Sequence, residues 1–133
     1  MSALEIMLVE DNPADAFLVR LALKEAGLTF QLNHCSDGEE AMSYLDKAES
    51  GVAAYPHLLM LDLNIPKISG HEVLKAVRKS KQLHSIPVII MSSSESPTDK
   101  KLVQSYGANH YFPKPPDLAQ FMKLGAVVRE LLK

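Results

Sequence analysis

At 133 residues the chain has the length of one ordinary domain, enough for a real core and too little for two. With 47% apolar and 23% charged residues it falls among globular sequences rather than disordered or fibrous ones, and no apolar run approaches the roughly 18 residues a membrane span needs. A formal net charge of −2 exerts no general pull on nucleic acid, and the N-terminus has no basic leader followed by an apolar core, so a cytoplasmic protein engaging neither membrane nor nucleic acid is expected.

The first predicted strand is LEIMLV, residues 4–9, which ends at the acids Glu10 and Asp11. Asn12, Pro13 and Asp15 then read as a helix start: a capping side chain, a proline at the first helical position and a carboxylate near the positive end of the dipole. Phe17, Leu18, Leu21 and Ala22 supply the helical spacing, and Gly27 the stop. A second strand, 30–35, leads to Asp37 and Glu40, spaced as a capping box for a helix ending near Glu49. The stretch SGVAAYPH, 50–57, carries Gly51 and Pro56 and reads as a loop.

The third strand, in LLMLDLNIPKISG, is an unbroken apolar run that stops at one carboxylate, Asp62, before the chain turns at Pro66 and Gly70. Such a run suits a strand buried on both faces of a parallel sheet. Taken alone, Asp62 reads equally as the start of a turn. Ser69 and Glu72 then open a third helix. A fourth apolar strand, 87–91, stops at Ser92, Ser93 and Ser94, after which Ser96, Pro97 and Asp99 start a helix reaching Tyr106. A short strand over 109–112 meets Lys114, Pro115 and Pro116, and Asp117 with Gln120 caps a last helix over 118–132. Gly125 inside that helix costs about 1 kcal/mol against alanine, which implies a close packing contact there.

Cys35 is the only cysteine, so no intramolecular disulfide is possible, and it reads as a small buried hydrophobe. His34, His57, His71, His84 and His110 lack the close pairing of zinc sites and read as structural or surface residues, with His71 distinguished by its place at a helix start. The basic cluster 78–81 follows an apolar helical face and reads as a solvated helix end.

Five alternations of strand and helix imply a doubly wound α/β domain: a parallel sheet with helices on both faces, whose class favours the strand order 2-1-3-4-5. That order makes strands one and three neighbours, so Glu10, Asp11 and Asp62 converge at the crevice where such sheets bind ligands. Carboxylates about 4 Å apart repel by about 4 kcal/mol per pair at an effective dielectric of 20, and a hard divalent cation offsets this. Mg²⁺ fits a site with one or two carboxylates and a substrate phosphate oxygen. Ser92 adds a hydroxyl donor and Lys114 a point charge at the next two strand ends, which suits transfer of a phosphoryl group to an aspartate nucleophile.

From LVEDN through LDLNIP, VIIMSS and YFPKP to the last helix, the chain resembles a two-component response regulator receiver domain, with its flavodoxin-like five-stranded fold. The resemblance implies that Asp62 is the phosphoacceptor, that Glu10 and Asp11 hold Mg²⁺ with Asp62 and the Asn64 carbonyl, and that Lys114 contacts the phosphoryl group. It implies that Ser92 and Tyr111 form the conformational switch and that Asn64 and Ser94 tune the lifetime of the acyl phosphate. It further implies a histidine kinase as donor, a protein partner or homodimer on the face made by the fourth helix, fifth strand and last helix, and a cis bond between Lys114 and Pro115. The DLNIPK turn, the longer loop before the third strand and the length of one receiver over 1–133 with no output domain are similar to the stand-alone receivers that serve phytochrome-type kinases.

Three other readings compete. Phosphatases of the haloacid dehalogenase type also use a strand-end aspartate and Mg²⁺, but they need a second aspartate two residues on as general acid, where this chain has Asn64 and no length for a cap domain. A flavodoxin-like nucleotide binder would carry a glycine-rich loop after the first strand, and the chain has EDNPAD. A pure interaction module that has lost phosphorylation is opposed by the intact acids, hydroxyl and lysine.

Overall fold

The two most apolar strands of the sequence, Leu58–Asp62 and Val88–Ser92, have no exposed residue along their length, because helices cover the sheet on both sides. The structure, a computed structural model, describes residues 3–93 and 97–133. In chain order its elements are β1 (Leu4–Val9), α1 (Pro13–Glu25), β2 (Phe30–Cys35), α2 (Gly38–Glu49), β3 (Leu58–Asp62), α3 (Gly70–Lys79), β4 (Val88–Ser92), α4 (Pro97–Ser105), β5 (His110–Pro113), α5 (Leu118–Phe121) and α6 (Leu124–Leu131). The strands form one parallel sheet in the order β2-β1-β3-β4-β5, as the class of the sequence implies.

Alternation along the strands divides the core in two. Ile6, Leu8, Leu58, Met60, Ile89 and Met91 face α1 and the C-terminal helices, where Val19, Leu23, Phe121 and Leu124 pack against them. Met7, Val9, Leu59, Leu61, Val88 and Ile90 face the opposite layer, with Leu45, Leu74, Val77 and Val103 from α2, α3 and α4. Cys35 is buried in this second layer with a free thiol, as a small hydrophobe. No described helix is long and apolar enough to cross a membrane.

The caps form as the sequence implies. Asn12 Oδ1 accepts the amides of Ala14 and Asp15 at 2.9 and 3.2 Å. Asp37 Oδ1 accepts the amide of Glu40 at 2.8 Å, and the Glu40 carboxylate returns to the amide of Ser36 rather than that of Asp37. At α3 the box is half made, for Ser69 Oγ accepts the Glu72 amide while the Glu72 carboxylate turns to Lys75. Ser94 and the helix-start residue Ser96 lie outside the described residues.

The structure corrects the sequence reading at three points. The last helix is not continuous: Lys123 and Gly125 donate to carbonyls three residues back, at Gln120 and Met122, which tightens the turn and separates α5 from α6. All described peptide bonds are trans, including that between Lys114 and Pro115. Arg78 is not a solvated helix end. Its guanidinium donates to the carbonyls of Tyr106, His84, Ile86 and Gly107 at 2.7 to 3.0 Å, tying the end of α3 to the turns before β4 and β5. Its planar fork reaches acceptors from two chain segments at once, which an ammonium could not do.

Candidate functional site: an acidic pocket at the strand ends

The sheet register builds the site. Val9 pairs with Leu61, so one residue further Glu10 and Asp62 stand side by side, and Asp62 pairs with Met91. Met91 belongs to the layer under α1, as does Phe112 two residues before Lys114, so Asp62 and Lys114 come up on the same side of the sheet. The Lys114 amide donates to the Ser92 carbonyl at 2.8 Å, which extends the β4–β5 ladder to the lysine itself. α3 begins directly against this edge. A Cβ on Gly70 would lie 2.6 Å from the carbonyl oxygen of Asp62, so only glycine lets α3 start so close to the strand end.

Three carboxylates meet one ammonium there. Lys114 Nζ lies 2.6 Å from Glu10 Oε1, 2.7 Å from Asp62 Oδ2 and 2.9 Å from Asp15 Oδ2. Burial lowers the Lys114 pKa, but hydrogen bonds to Asp62, Glu10 and Asp15 outweigh it and hold the ammonium above the ordinary lysine range. Burial pushes the Glu10 carboxyl up to about 7; the hydrogen bond to Lys114 pulls it down and the negative charge of Asp62 raises it. Asp62 Oδ1 accepts the Asn64 amide at 2.9 Å, which sets the carboxylate's orientation at the strand end. His34 Nε2 donates to the Glu10 carbonyl at 2.7 Å and steadies the end of β1 from the side of β2.

One carboxylate oxygen each from Glu10, Asp11 and Asp62 lie within 4.8 Å of one another, a spacing that one small cation spans. Glu10 Oε1 is buried, with the Lys114 ammonium 2.6 Å away. Three clustered carboxylates, with Glu10 and Asp62 buried, suit a hard cation with oxygen ligands, so the residues present fit Mg²⁺.

Ser92 is fully buried at the end of β4 and Tyr111 half-buried on β5, with Lys100 Nζ of α4 5.5 Å from the centre of its ring. Asn64, two residues beyond Asp62, is exposed. His71, the histidine singled out at a helix start, sits with Nε2 3.4 Å from Asp99 Oδ1. Asp15 is the site residue that the sequence reading missed, having taken it only as a dipole carboxylate. The available signal was its position in the first turn of a helix that leaves the acidic end of β1.

A model of the response regulator receiver domain matches residues 6–125, within which all of these groups fall. The chain belongs to that family. Among curated receivers, response regulator Rcp1 of Synechocystis is 34% identical over 120 residues, covering 90% of this chain and 82% of that protein. The probable methanogenesis regulatory protein FilR2 of Methanothrix harundinacea is 39% identical over 110 residues, covering 83% of this chain and 71% of its own. Among solved receivers, the phosphorylated cyanobacterial phytochrome response regulator RcpA superposes with a TM-score of 0.90 at 34% identity, over 99% of this chain and 96% of that one. The Mn²⁺-bound form of Rcp1 superposes with a TM-score of 0.85 at 32% identity, over 95% and 91% of the two chains. The protein is thus a phosphoacceptor response regulator of two-component signalling, a receiver of flavodoxin-like fold. Receivers bind Mg²⁺ at an acidic pocket, and Glu10, Asp11 and Asp62 form one here.

Proposed function

We propose that Asp62 accepts the phosphoryl group of a histidine kinase, and that Glu10, Asp11, Asp62 and the Asn64 carbonyl hold the Mg²⁺. The observation that carries this reading is the convergence of Glu10, Asp62 and Lys114 within 2.7 Å contacts at one strand edge, since a lysine among acids is what a receiver needs to accept and then neutralise a phosphoryl group. An Asp62 oxygen forms a bond to phosphorus as the phosphorus–nitrogen bond of the donor histidine breaks, leaving an acyl phosphate and, with a proton on the ring's other nitrogen, a neutral imidazole. Bound Mg²⁺ supplies charge neutralisation for the phosphoryl oxygens. Lys114, already seated in the pocket, presents its ammonium to the same oxygens, and the Ser92 hydroxyl donates to them from the end of β4.

Phosphorylation adds roughly one further negative charge, to which Ser92 and Lys114 respond. Movement of Ser92 opens room for Tyr111 to turn inward and away from Lys100, which reshapes the face formed by α4, β5, α5 and α6. That face takes a downstream protein or a second copy of the chain. Asn64 and Ser94 tune the phosphoryl lifetime, and the chemistry is the protein's own phosphorylation and dephosphorylation. The likeness to Rcp1 and RcpA supports a phytochrome-type photoreceptor kinase as donor, and the net charge of −2 supports protein rather than nucleic-acid partners in the cytoplasm.

Incubation with Mg²⁺ and acetyl phosphate tests the acceptor. Intact mass should rise by one phosphoryl group in the wild type and stay unchanged in Asp62→Asn. A persisting gain in that variant would place the acceptor elsewhere.

A further inference from the structure

The third carboxylate on Lys114 has no place in the mechanism above. A lysine ammonium carries three N–H donors and no acceptor, and three carboxylate oxygens lie within 2.9 Å of this one. A phosphoryl oxygen that needs Lys114 must therefore displace a carboxylate already there. The three differ in how well they survive displacement. Asp62 is the acceptor and carries the phosphoryl group itself, and the Glu10 side chain, with 0% exposure, cannot be rehydrated in place, whereas Asp15 has 24% of its side chain exposed. Asp15 also keeps favourable surroundings without the lysine. It lies in the first turn of α1, beside the amide end that Asn12 caps, where the helix dipole favours a carboxylate.

Resting on the assignment of Asp62 as acceptor, we infer that Asp15 is a positioning residue that holds Lys114 in the unphosphorylated protein and competes with the phosphoryl group for it. Release of Lys114 from Asp15 is then part of phosphorylation. Its strength sets how readily the phosphorylated state forms. When an Asp62 oxygen bonds to phosphorus and the donor's own oxygen–phosphorus bond breaks, the donor leaving as acetate, Lys114 passes from Asp15 to a phosphoryl oxygen and Asp15 passes to water.

Asp15→Asn keeps the shape and removes the charge, so Lys114 is held less firmly. The rate of phosphoryl mass gain from acetyl phosphate with Mg²⁺ should rise roughly three- to tenfold, the range of one charge-assisted contact partly open to water. Asp15→Glu, which restores the charge, should return the rate to within about twofold of the wild type. The decisive measurement is the same Asn substitution in a Lys114→Arg background, paired with the ¹³Cε and ¹Hε shifts of Lys114 in donor-free protein. If Asp15 acts through Lys114, those shifts move in Asp15→Asn and the gain in rate changes markedly when the lysine is replaced. Equal gains in both backgrounds, unmoved Lys114 shifts, or a rate in Asp15→Asn equal to wild type would each overturn the inference while leaving Asp62 as acceptor. Absence of any phosphoryl gain in the wild type would overturn both.

Discussion

Lys114 Nζ stands 2.6 Å from Oε1 of Glu10, a side chain with no exposed surface. Removing one partner of a buried charge pair strands the other, at a typical cost of about 3 to 5 kcal/mol. Here Glu10 has a partial escape, because burial already favours its protonated form. Lys114→Ala is therefore expected to lose about 3 kcal/mol at pH 8 in metal-free buffer and clearly less at pH 5, where Glu10 takes up a proton. Urea denaturation at the two pH values checks this, and equal losses at both would contradict it.

The Glu10 carboxyl also gives the metal-free protein a pH dependence of definite sign. Its folded pKa is raised from 4.5 to about 7, so between those values the folded state holds a proton that the unfolded chain has released. That contribution to stability is complete below pH 4.5 and is lost as pH rises through 7. Asp37 works in the opposite sense, its carboxyl held low first by the Glu40 amide, but only as pH falls below its ordinary 3.8, outside this window. Thermal melts from pH 5 to 8 should fall, and Glu10→Gln should flatten the curve.

Mg²⁺ must displace that same proton, so its affinity is expected to tighten with pH, by up to about tenfold per unit between 6 and 7, and to level off above 8. Isothermal titration in buffers of different ionisation enthalpy should detect proton release on binding. At a hundredfold excess over its dissociation constant Mg²⁺ should stabilise the fold by about 2.7 kcal/mol, and the gain should largely vanish in Asp11→Ala.

Arg78 is expected to matter to stability more than any charged residue on the surface. Four backbone carbonyls lose their donor in Arg78→Ala, and the turns before β4 and β5 lose their common tie. A loss of about 3 kcal/mol in chemical denaturation is expected, with Arg78→Lys recovering less than half because one ammonium cannot serve both segments.

Gly125→Ala sets two effects against each other. Alanine gains about 1 kcal/mol of helix propensity, but its Cβ would lie 2.6 Å from Ala26 Cβ and 2.8 Å from the Ala22 carbonyl oxygen, where α6 crosses α1. Overpacking of that kind costs about 1 to 3 kcal/mol, so the variant should be less stable by about 1 kcal/mol. A denaturation midpoint above the wild type would show that α6 moves aside freely.

Much of this was legible in the residue order. Apolar runs that stop at Glu10, Asp62 and Ser92, followed each time by helix caps, specify a parallel sheet whose functional groups gather at one edge, because strand length and cap position are local properties. The break between α5 and α6 was not legible, since Met122 and Lys123 are good helix formers and the tightening there is made by three-residue hydrogen bonds that composition does not report. Arg78 looked like any basic residue at a helix end, because its acceptors come from turns six to twenty-nine residues away.

The sequence by itself determined the fold class and which residue types stand at the strand ends, since periodicity and capping act within a few residues, while the strand order followed only from the class and is fixed by the observed sheet. Only the tertiary structure decided how those ends share a single ammonium. Sheet register places Glu10 beside Asp62, the side of the sheet brings Lys114 between them, and the packing of α1 on that same side delivers Asp15. Contacts between residues 52 and 99 positions apart depend on how layers pack, and no local pattern encodes which of several nearby carboxylates will reach the lysine.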